Sequence, residues 1–354
     1  MNVSAEALSQ FVVDIFERLD TKPEFAREVA DHLVLANLKG HDSHGVGMTP
    51  AYVRNIKAGL LAKDAEAEVA VDNGAVMVVD GNFGFGQVVG RQACDILMAR
   101  ARETGVVCAG VKNNHHLGRI GTYAEHCASH GFVSIHMVNV VGHDPLVAPF
   151  GGRERRFSTN PFTCAIPRKD QPPFVLDMAT SNIAMGKARV AYEAGDEVPA
   201  GSLIDHEGLN TQDPTVMFKR PVGALIPFGL HKGYSLAVMC ELLAGGLAGQ
   251  WTAQPGNERS HHIVNHMFMV IVDPAAFGGL DAFQGEMEAM VEYLHSTEPA
   301  VGVDKVRIPG EPELESMQVR QAEGIPLSDG AIAELTAAAQ AAGLSDAEIT
   351  SALS

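Results

Sequence analysis

Positive charge is scarce in this 354-residue sequence, in which 26 Lys and Arg residues stand against 43 Asp and Glu residues. The resulting net charge of -17 is spread along the chain without a basic run. The sequence therefore offers no electrostatic attraction to a phosphate backbone or to an anionic membrane surface. We expect neither nucleic acid nor a membrane as a partner.

Long apolar runs and a cysteine framework are also missing. No stretch approaches the roughly 20 consecutive apolar residues of a membrane-spanning helix. The N-terminus, MNVSAEALSQ, lacks the basic-then-apolar order of a secretory signal. The five cysteines are odd in number and scattered among apolar neighbours, which favours reduced core residues over disulfides. Together these features predict a cytoplasmic protein.

The chain does have the composition of a globular protein, and its hydrophobic pattern changes twice. Helices are predicted over the first 60 residues and after about residue 305, where apolar residues recur at the helical period behind serine caps such as Ser4. From about residue 75, short β-branched runs such as AVMVVD and FVSIHMVNVV alternate with helical segments. This pattern predicts an α/β domain with a partly parallel sheet, beside which the helical ends pack together.

A glycine run, DGNFGFGQVVG, lies between a predicted strand and a predicted helix. Glycines at such a junction, here Gly84, Gly86 and Gly90, can let backbone amides hold a pyrophosphate. However, the spacing is one residue longer than the GxGxxG fingerprint, and no acidic residue for a ribose ends the next strand. Phe83 and Phe85 would also crowd a phosphate. A structural turn is the favoured interpretation.

Two histidine-rich runs are the strongest candidates for a functional site. GHDSHG, residues 40–45, lies between two predicted helices, and NNHHLGR, residues 113–119, follows a strand directly. The ends of strands in α/β sheets are places where ligand-binding side chains are exposed. An imidazole exchanges protons with a hydroxyl or carbonyl oxygen near neutral pH, and hydride transfer at the adjacent carbon is the natural partner reaction.

Other chemistries are compatible with the same histidines. His41, His44 and His116 could ligate a metal, as in a metal-dependent hydrolase, although no HExxH motif or cysteine pair accompanies them. A Ser-His-Asp triad is less favoured, because Asp42, Ser43 and His44 are consecutive and no GxSxG elbow is present. A non-catalytic binding protein is the least favoured alternative.

Local positive and polar groups are expected where so acidic a protein binds an anion. His231 and Lys232 stand just before a predicted helix, a position suited to a phosphate or carboxylate. Arg155 and Arg156 precede a polar turn that contains Thr159 and Asn160 and leads into a strand. These segments predict an anionic cofactor or substrate.

Seven segments of the chain, taken in order, resemble the malate/L-lactate dehydrogenase family of NAD(P)-dependent oxidoreductases, which also holds ureidoglycolate, sulfolactate and diketogulonate enzymes. The segments are GHDSHGVGMTPAYVRNIKAG, NNHHLGRIGTYAE, FSTNPFTCAIP, FVLDMATSNIAMGK, LIDHEGLNTQDP, PFGLHKGYSLAVMCELLAGGLAG and VRIPGEPE. The resemblance spans nearly the whole chain. The stretches VVG and PLVAPFGG, at 140–152, are most similar to the hydroxycarboxylate dehydrogenases of that family.

The resemblance implies an α/β fold that is not of the Rossmann type but is like that of L-sulfolactate dehydrogenase. A mixed-sheet cofactor domain, residues 71–304, would be inserted between helical segments 1–70 and 305–354, and the protein would be a homodimer. This implication rejects a dinucleotide site at the glycine run. The cofactor, NAD or NADP, would be bound by Asp177, Met178, Ala179, Thr180, Ser181, His231, Lys232, Gly310 and Glu311.

The resemblance also implies site roles. His44 or His116 would transfer the proton, with Ser43 orienting the imidazole, and no metal is expected. The residues expected to contact substrate are Met48, Tyr52, Arg119, Thr159 and Asn160. Many members carry arginine where this chain has Met48, which indicates a larger or less polar substrate tail, with the carboxylate bound by Arg119 or by backbone amides.

The expected reaction interconverts a 2-oxo acid and a 2-hydroxy acid, aryl-substituted acids included. A malate-, lactate- or ureidoglycolate-type dehydrogenase and a reductase of cyclic imine 2-carboxylates are the alternatives within the family.

Overall fold

The structure is a computed structural model that describes residues 1–257, 259 and 262–353. Its α-helices are α1 (Ala5–Glu17), α2 (Pro23–Leu38), α3 (Thr49–Lys57), α4 (Gly86–Thr104), α5 (Gly121–Ser129), α6 (Met185–Ala194), α7 (His231–Cys240), α8 (Leu280–His295), α9 (Glu311–Glu323), α10 (Asp329–Ala342) and α11 (Asp346–Leu353). In this described part of the chain, no helix combines the length and the apolar character needed to cross a membrane.

The strands are β1 (Asn2–Val3), β2 (Glu68–Asn73), β3 (Val76–Asp80), β4 (Val106–His115), β5 (Val133–Val141), β6 (Phe162–Arg168), β7 (Gln171–Met178), β8 (Leu203–Ile204), β9 (Asn210–Thr211), β10 (Ala224–Leu225), β11 (Val264–Val272) and β12 (Ile325–Pro326). Short 3-10 turns occupy Asp42–His44, Val46–Met48, Pro214–Met217 and Pro274–Phe277. A π-helix, Glu241–Gly249, directly continues α7.

The central sheet has the strand order β2-β3-β4-β11-β5-β6-β7. Strands β3 and β4 are parallel, and the other neighbouring strands are antiparallel. Strand β11 lies between β4 and β5, with Val264 opposite both His115 and Val141. The predicted mixed-sheet α/β fold is confirmed. Strand β4 is an inner strand, so its histidine-bearing C-terminal end lies among the strand ends in the middle of the sheet.

The two ends of the chain are joined in one helical layer. β1 pairs with β12, α1 packs against α10 and α11, and α3 packs against α10. Phe16, Leu33, Leu335 and Ile349 belong to the same buried hydrophobic cluster. The domain bounds at residues 70 and 305 stay a prediction.

Local sequence signals explain several helix ends. Ser4 Oγ accepts a hydrogen bond from Ala7 N at 3.1 Å, which caps α1 as predicted. The order Thr49-Pro50 predicts a cap followed by proline at the first helical position, but Thr49 is itself the first residue of α3. The segment KGYSLAVMCELLAGGLAG has the composition of an ordinary helix, but its second half forms the π-helix. There a Cβ at Gly249 would come within 2.2 Å of the His266 ring, so the backbone packs directly on the sheet.

The glycine run forms the turn between β3 and α4. A Cβ at Gly86 would lie 2.3 Å from the His116 carbonyl oxygen, and Phe85 is buried. Glycine at position 86 thus lets the start of α4 touch the chain that follows β4. The turn brings α4 against the histidine segment.

Candidate active site

The turn that carries His44 connects α2 to α3 and is held from two sides. At the end of α2, Asn37 Oδ1 accepts from Val46 N at 2.8 Å, and Asn37 Nδ2 donates to Asp42 Oδ1 at 2.6 Å. From α9, the Arg320 guanidinium donates to both oxygens of Asp42, at 2.6 and 3.0 Å. The C-terminal helical segment therefore helps to fix the His44 turn.

Ser43 lies beside the His44 ring, with its Oγ 2.9 Å from His44 Nδ1. This is the contact that the predicted orienting role requires, and the role itself stays a prediction. The start of α6 covers the same turn, because a Cβ at Gly186 would come within 2.5 Å of Ser43 Cβ. Lys187, the next residue, is exposed.

His116, just past the end of β4, meets His44 across the site. The two rings are nearly parallel, with centroids 5.6 Å apart and planes 22° apart. On its other side, His116 Nδ1 lies 2.7 Å from Tyr52 Oη, and Gln87 Nε2 donates to that same phenol oxygen at 2.8 Å. The two histidines predicted from separate runs are therefore neighbours, and one of them has a buried polar support.

Burial determines the charge of these rings. It lowers the pKa of His44 to about 4, with a smaller effect from nearby His41, and it lowers the pKa of His116 well below 6.5, with His44 contributing. Burial raises the pKa of the Tyr52 phenol, although its bond to Gln87 opposes that rise. At neutral pH both imidazoles and the phenol are therefore uncharged.

Two further histidines pack around this pair. His115 Nε2 lies 2.8 Å from Asn55 Nδ2, and the His115 ring stacks on the His262 ring with centroids 5.9 Å apart. Burial lowers the pKa of His115 to about 3. His32 on α2 accepts a hydrogen bond from Arg119 N at 3.0 Å, and burial lowers its pKa to about 3 as well. Both rings are neutral packing partners at neutral pH.

Arg119 lies in a buried charged group. Its side chain is 2% exposed; Nη2 lies 3.0 Å from Glu125 Oε1, and Nε lies 3.2 Å from Asp177 Oδ2. Glu125 also pairs with Lys39 at 2.5 Å. Arg119 Nη1 has no hydrogen-bond partner among the described residues. The predicted substrate role of Arg119 stays a prediction, and two internal carboxylates already compete for its guanidinium.

Asp177, near the end of β7, is the most connected carboxylate of this group. It accepts from Gly121 N at 3.0 Å and from Thr163 Oγ1 at 2.8 Å. Burial alone would raise the pKa of this carboxyl, but Arg119 and these hydrogen bonds bring the pKa below its ordinary value. Asp177 therefore places a negative charge near His44, whose pKa it raises against the effect of burial.

The other residues predicted to contact substrate lie around this centre. Met48 is half-buried and packs against the hydrophobic cluster of the helical layer. Thr159 O accepts from Thr180 N at 2.9 Å, and buried Asn160 Nδ2 donates to Glu241 Oε2 at 2.8 Å. Their substrate roles, like that of Tyr52, stay predictions.

Two segments predicted to bind the cofactor meet at the end of β7. Thr180 O accepts from Phe228 N at 3.0 Å, and a Cβ at Gly233 would lie 2.9 Å from Thr180 O. The start of α7 therefore packs on the segment that follows the strand. Met178 and Ala179 are half-buried there, while Ser181 Oγ donates to Ile183 O.

The start of α7 presents charged and aromatic groups. His231 and Lys232 are exposed, and the His231 ring lies 5.9 Å from the exposed Phe150 ring. The N–H groups of Lys232 and Gly233 already donate to Gly229 O and Phe228 O. The positive group offered here is consequently the Lys232 ammonium.

The third segment predicted to bind the cofactor lies against β7 at Val175. Pro309 O accepts from Val175 N at 3.1 Å, and Gly310 adopts a φ of +101° next to Val175. Glu311 Oε2 accepts from Ile308 N at 2.9 Å, and the Glu311 carboxylate pairs with His295. All three predicted segments thus border β7, and their cofactor roles stay predictions.

Several residues of the site were not predicted from the sequence: Gln87, His32, Asn37, Arg320 and Gly186. Gln87 could have been found from the sequence, because it is a polar residue that directly follows Gly86 at the start of a predicted helix. A glycine at such a position indicates a close backbone contact. The others depend on contacts between distant parts of the chain.

The described part of the chain holds no group of three or more His, Cys, Asp and Glu side chains placed to bind a metal ion. His41, a predicted alternative ligand, lies 3.4 Å from Glu313 Oε1.

Comparison with known proteins places this site in context. The family model described as malate/L-lactate dehydrogenase matches residues 3–336. The chain is 43% identical to hydroxycarboxylate dehydrogenase B of Escherichia coli K12 over 342 residues, covering 96% of this chain and 94% of that protein. It is also 43% identical to an L-lactate dehydrogenase of Cupriavidus necator over 314 residues, covering 88% and 90%.

A solved Escherichia coli structure described as a malate/lactate dehydrogenase superimposes with a TM-score of 0.95 at 41% identity. The match covers 99% of this chain and 98% of that one. The resemblance to the hydroxycarboxylate dehydrogenases that the sequence motifs indicate is confirmed.

Proposed function

Because the chain belongs to the malate/L-lactate dehydrogenase family, we propose that it is an NAD(P)-dependent oxidoreductase that interconverts a 2-oxo acid and the corresponding 2-hydroxy acid. The observation that supports this reaction best is the facing pair of half-buried His44 and buried His116, whose rings are uncharged at neutral pH and have centroids 5.6 Å apart. Such a pair can exchange a proton with an oxygen atom placed between or beside the rings.

Exposed groups near the end of β7 support the proposed dinucleotide site. Lys232 supplies an exposed positive charge for a phosphate, while Phe150 and His231 expose rings against which a base can stack. When bound, a reduced nicotinamide supplies the hydride for the carbonyl carbon. Ala179 and Ser181, at the end of the strand, would then border the cofactor. NAD and NADP both remain within the proposal.

The histidines account for the proton in both directions. In reduction, the carbonyl π bond opens, a C–H bond forms with the hydride, and the oxygen takes a proton from His44 or His116. In oxidation, the same imidazole accepts the hydroxyl proton. The low pKa values keep both rings in the neutral form at neutral pH, in which each ring has one nitrogen that can accept a proton. A substrate carboxylate beside them would raise these pKa values and favour the protonated acid form.

The substrate proposal rests on Met48 and Arg119. An adaptable, half-buried methionine at position 48 suits a larger or less polar tail, including an aryl group. Arg119 Nη1 has no protein partner in the described residues, so this corner of the guanidinium can take a carboxylate oxygen. Malate-, lactate- and ureidoglycolate-type substrates and a cyclic imine 2-carboxylate are the alternatives, and the homodimer and the cytoplasmic location stay predictions.

The test is a steady-state survey of NADH and NADPH oxidation over pyruvate, oxaloacetate, phenylpyruvate, 4-hydroxyphenylpyruvate and a cyclic imine 2-carboxylate. It is repeated with His44→Ala and His116→Ala, and with His206→Ala as an exposed-histidine control. We expect a loss of roughly 10²- to 10⁴-fold in kcat/KM for at least one site variant and none for the control.

Two results would overturn the proposal. Wild-type turnover in both site variants would remove the histidines from proton transfer. A stoichiometric transition metal together with no binding of either nucleotide would instead support the hydrolase alternative.

A further inference from the structure

Gln87 is enclosed at the start of α4, where it contacts the histidine site through one phenol. Its side chain is fully buried, and the preceding Gly86 touches the His116 carbonyl. A Cβ at Gly118 would come within 3.0 Å of Gln87 Nε2, so the amide is packed on that side too. Its Oε1 atom is buried without a hydrogen-bond partner in the described residues.

The direction of the hydrogen bonds follows from the donors. Gln87 Nε2 donates to Tyr52 Oη, so the phenol proton is left to point at His116 Nδ1, 2.7 Å away. His116 Nδ1 is then an acceptor, and the neutral ring carries its proton on Nε2. In this arrangement Nε2 has no lone pair with which to act as a base.

If the amide of Gln87 is turned over, the hydrogen bonds that run from Gln87 through Tyr52 to His116 reverse their direction, and no other heavy atom moves. Gln87 Oε1 then accepts the Tyr52 proton, and Tyr52 Oη accepts from His116 Nδ1–H. Nε2 is now either a free lone pair or, in the imidazolium, a proton donor. Proton transfer at Nε2 needs this reversed arrangement in both directions, because the ring keeps its Nδ1 proton before and after the step.

We propose that Gln87 is a positioning residue whose amide oxygen, acting through Tyr52, lets His116 carry a proton on Nδ1 during the reaction. The inference rests on the proposed dehydrogenase function. In the step itself, the Nε2–H bond of the imidazolium breaks as the O–H bond of the hydroxy acid forms, and the Nδ1 proton stays on the ring. Besides burial, four neighbouring histidines lower the pKa of His116 through their charge, namely His44, His115, His32 and His143. Within the described residues, the one hydrogen bond of its side chain is to Tyr52.

Two substitutions separate the accepting from the donating function of the amide. An ionised glutamate can only accept hydrogen bonds. Gln87→Glu should therefore hold the hydrogen bonds through Tyr52 to His116 in the reversed direction and raise the apparent pKa of His116 by a unit or more. Methionine at position 87 donates no hydrogen bond and accepts only weakly, so the Tyr52 hydroxyl should go on donating to His116 Nδ1. We expect kcat to fall roughly 10- to 100-fold in the methionine variant, by analogy with the loss of a partner that orients a metal-bound histidine.

The decisive readout is independent of turnover. Nitrogen-15 spectra of histidine-labelled protein, with His116→Ala for assignment, should show Nε2 protonated in the wild type at neutral pH and Nδ1 protonated in Gln87→Glu. Gln92→Met is the matched control, since Gln92 is on the same helix and accepts from Ala67 N away from the histidines. Its spectra and kcat should equal those of the wild type, and cofactor dissociation constants should be unchanged in all variants.

The outcomes distinguish this inference from the proposed function. A wild type that oxidises neither nucleotide with any acid refutes the function, while the spectra still report on Gln87. An active wild type whose Gln87→Met and Gln87→Glu variants keep the same kcat, pH profile and His116 tautomer refutes the inference alone. If Gln87→Glu fails to fold, Tyr52→Phe replaces it: loss of kcat with unchanged cofactor binding supports the inference, and full kcat contradicts it.

Discussion

Replacing Asp177 by asparagine would test the buried charges beside the histidines. Asp177, Arg119, Glu125 and Lys39 form a group of two carboxylates and two cations. Asparagine keeps the size of the side chain and one acceptor oxygen, but it removes one negative charge. The group is left with an excess positive charge around a guanidinium that is 2% exposed.

The expected decrease in the free energy of unfolding follows from the burial of these charges. Removing one partner of a buried ion pair costs about 3–5 kcal/mol, because the remaining charge is left uncompensated. Glu125 still contacts Arg119, so we expect the lower end, about 3 kcal/mol. For a chain of 354 residues, that loss corresponds to a decrease in Tm of about 4 °C. Asp72→Asn is the matched control, since Asp72 pairs with Arg100 at the surface and there screening by water should leave a much smaller decrease.

The assay is thermal unfolding followed by circular dichroism, combined with a double-mutant cycle. In an Arg119→Met background, the cost of Asp177→Asn should largely disappear, because the charge that it leaves unpaired is gone. Equal Tm decreases for Asp177→Asn and Asp72→Asn, or additive effects in the cycle, would refute the reasoning. Because Asp177 favours protonated His44, the variant should also lower the pKa of His44 below about 4.

Two other predictions concern pH and substrate choice. The His32 side chain is 3% exposed and its pKa falls from 6.5 to about 3 in the folded chain. Unfolded chains therefore bind a proton that the native state does not, and stability should decrease as pH drops below about 6.5, by about 1.4 kcal/mol per unit for this residue. His32→Gln should reduce the slope of unfolding free energy against pH by that amount, and equal slopes would contradict it. Met48→Arg should raise the ratio of kcat/KM for oxaloacetate to that for phenylpyruvate by about 10-fold or more, because guanidinium binds a second carboxylate; an unchanged ratio would disprove the role of Met48.

Residue types and local spacing were sufficient for the parts of the site that depend on short segments. His44 and His116 each lie in a glycine-flanked polar run, and the structure brings the two rings together. Ser4 caps its helix through a contact three residues away. In both cases the information lies within a few residues of sequence.

Partner choice between distant segments could not be predicted in this way. Arginine binds carboxylates in a bidentate manner, which makes Arg119 a natural candidate for substrate binding, but Asp177 supplies a carboxylate from a strand 58 positions away. Likewise, Arg320 reaches the His44 turn from a helix 278 positions further along the chain. These contacts depend on how β7 and α9 are placed by the whole fold.

The internal pairing of Arg119 changes how this acidic protein can attract an anionic ligand. Two carboxylates largely neutralise that guanidinium, and the histidines are uncharged at neutral pH. Attraction of an anionic ligand must then come from exposed cations around the site. Lys232 lies in a segment predicted to bind the cofactor, and Lys187 lies next to the turn that carries His44. Because salt screens exposed charges much more than buried ones, we expect the proposed binding of an anionic cofactor through Lys232 to weaken at higher ionic strength.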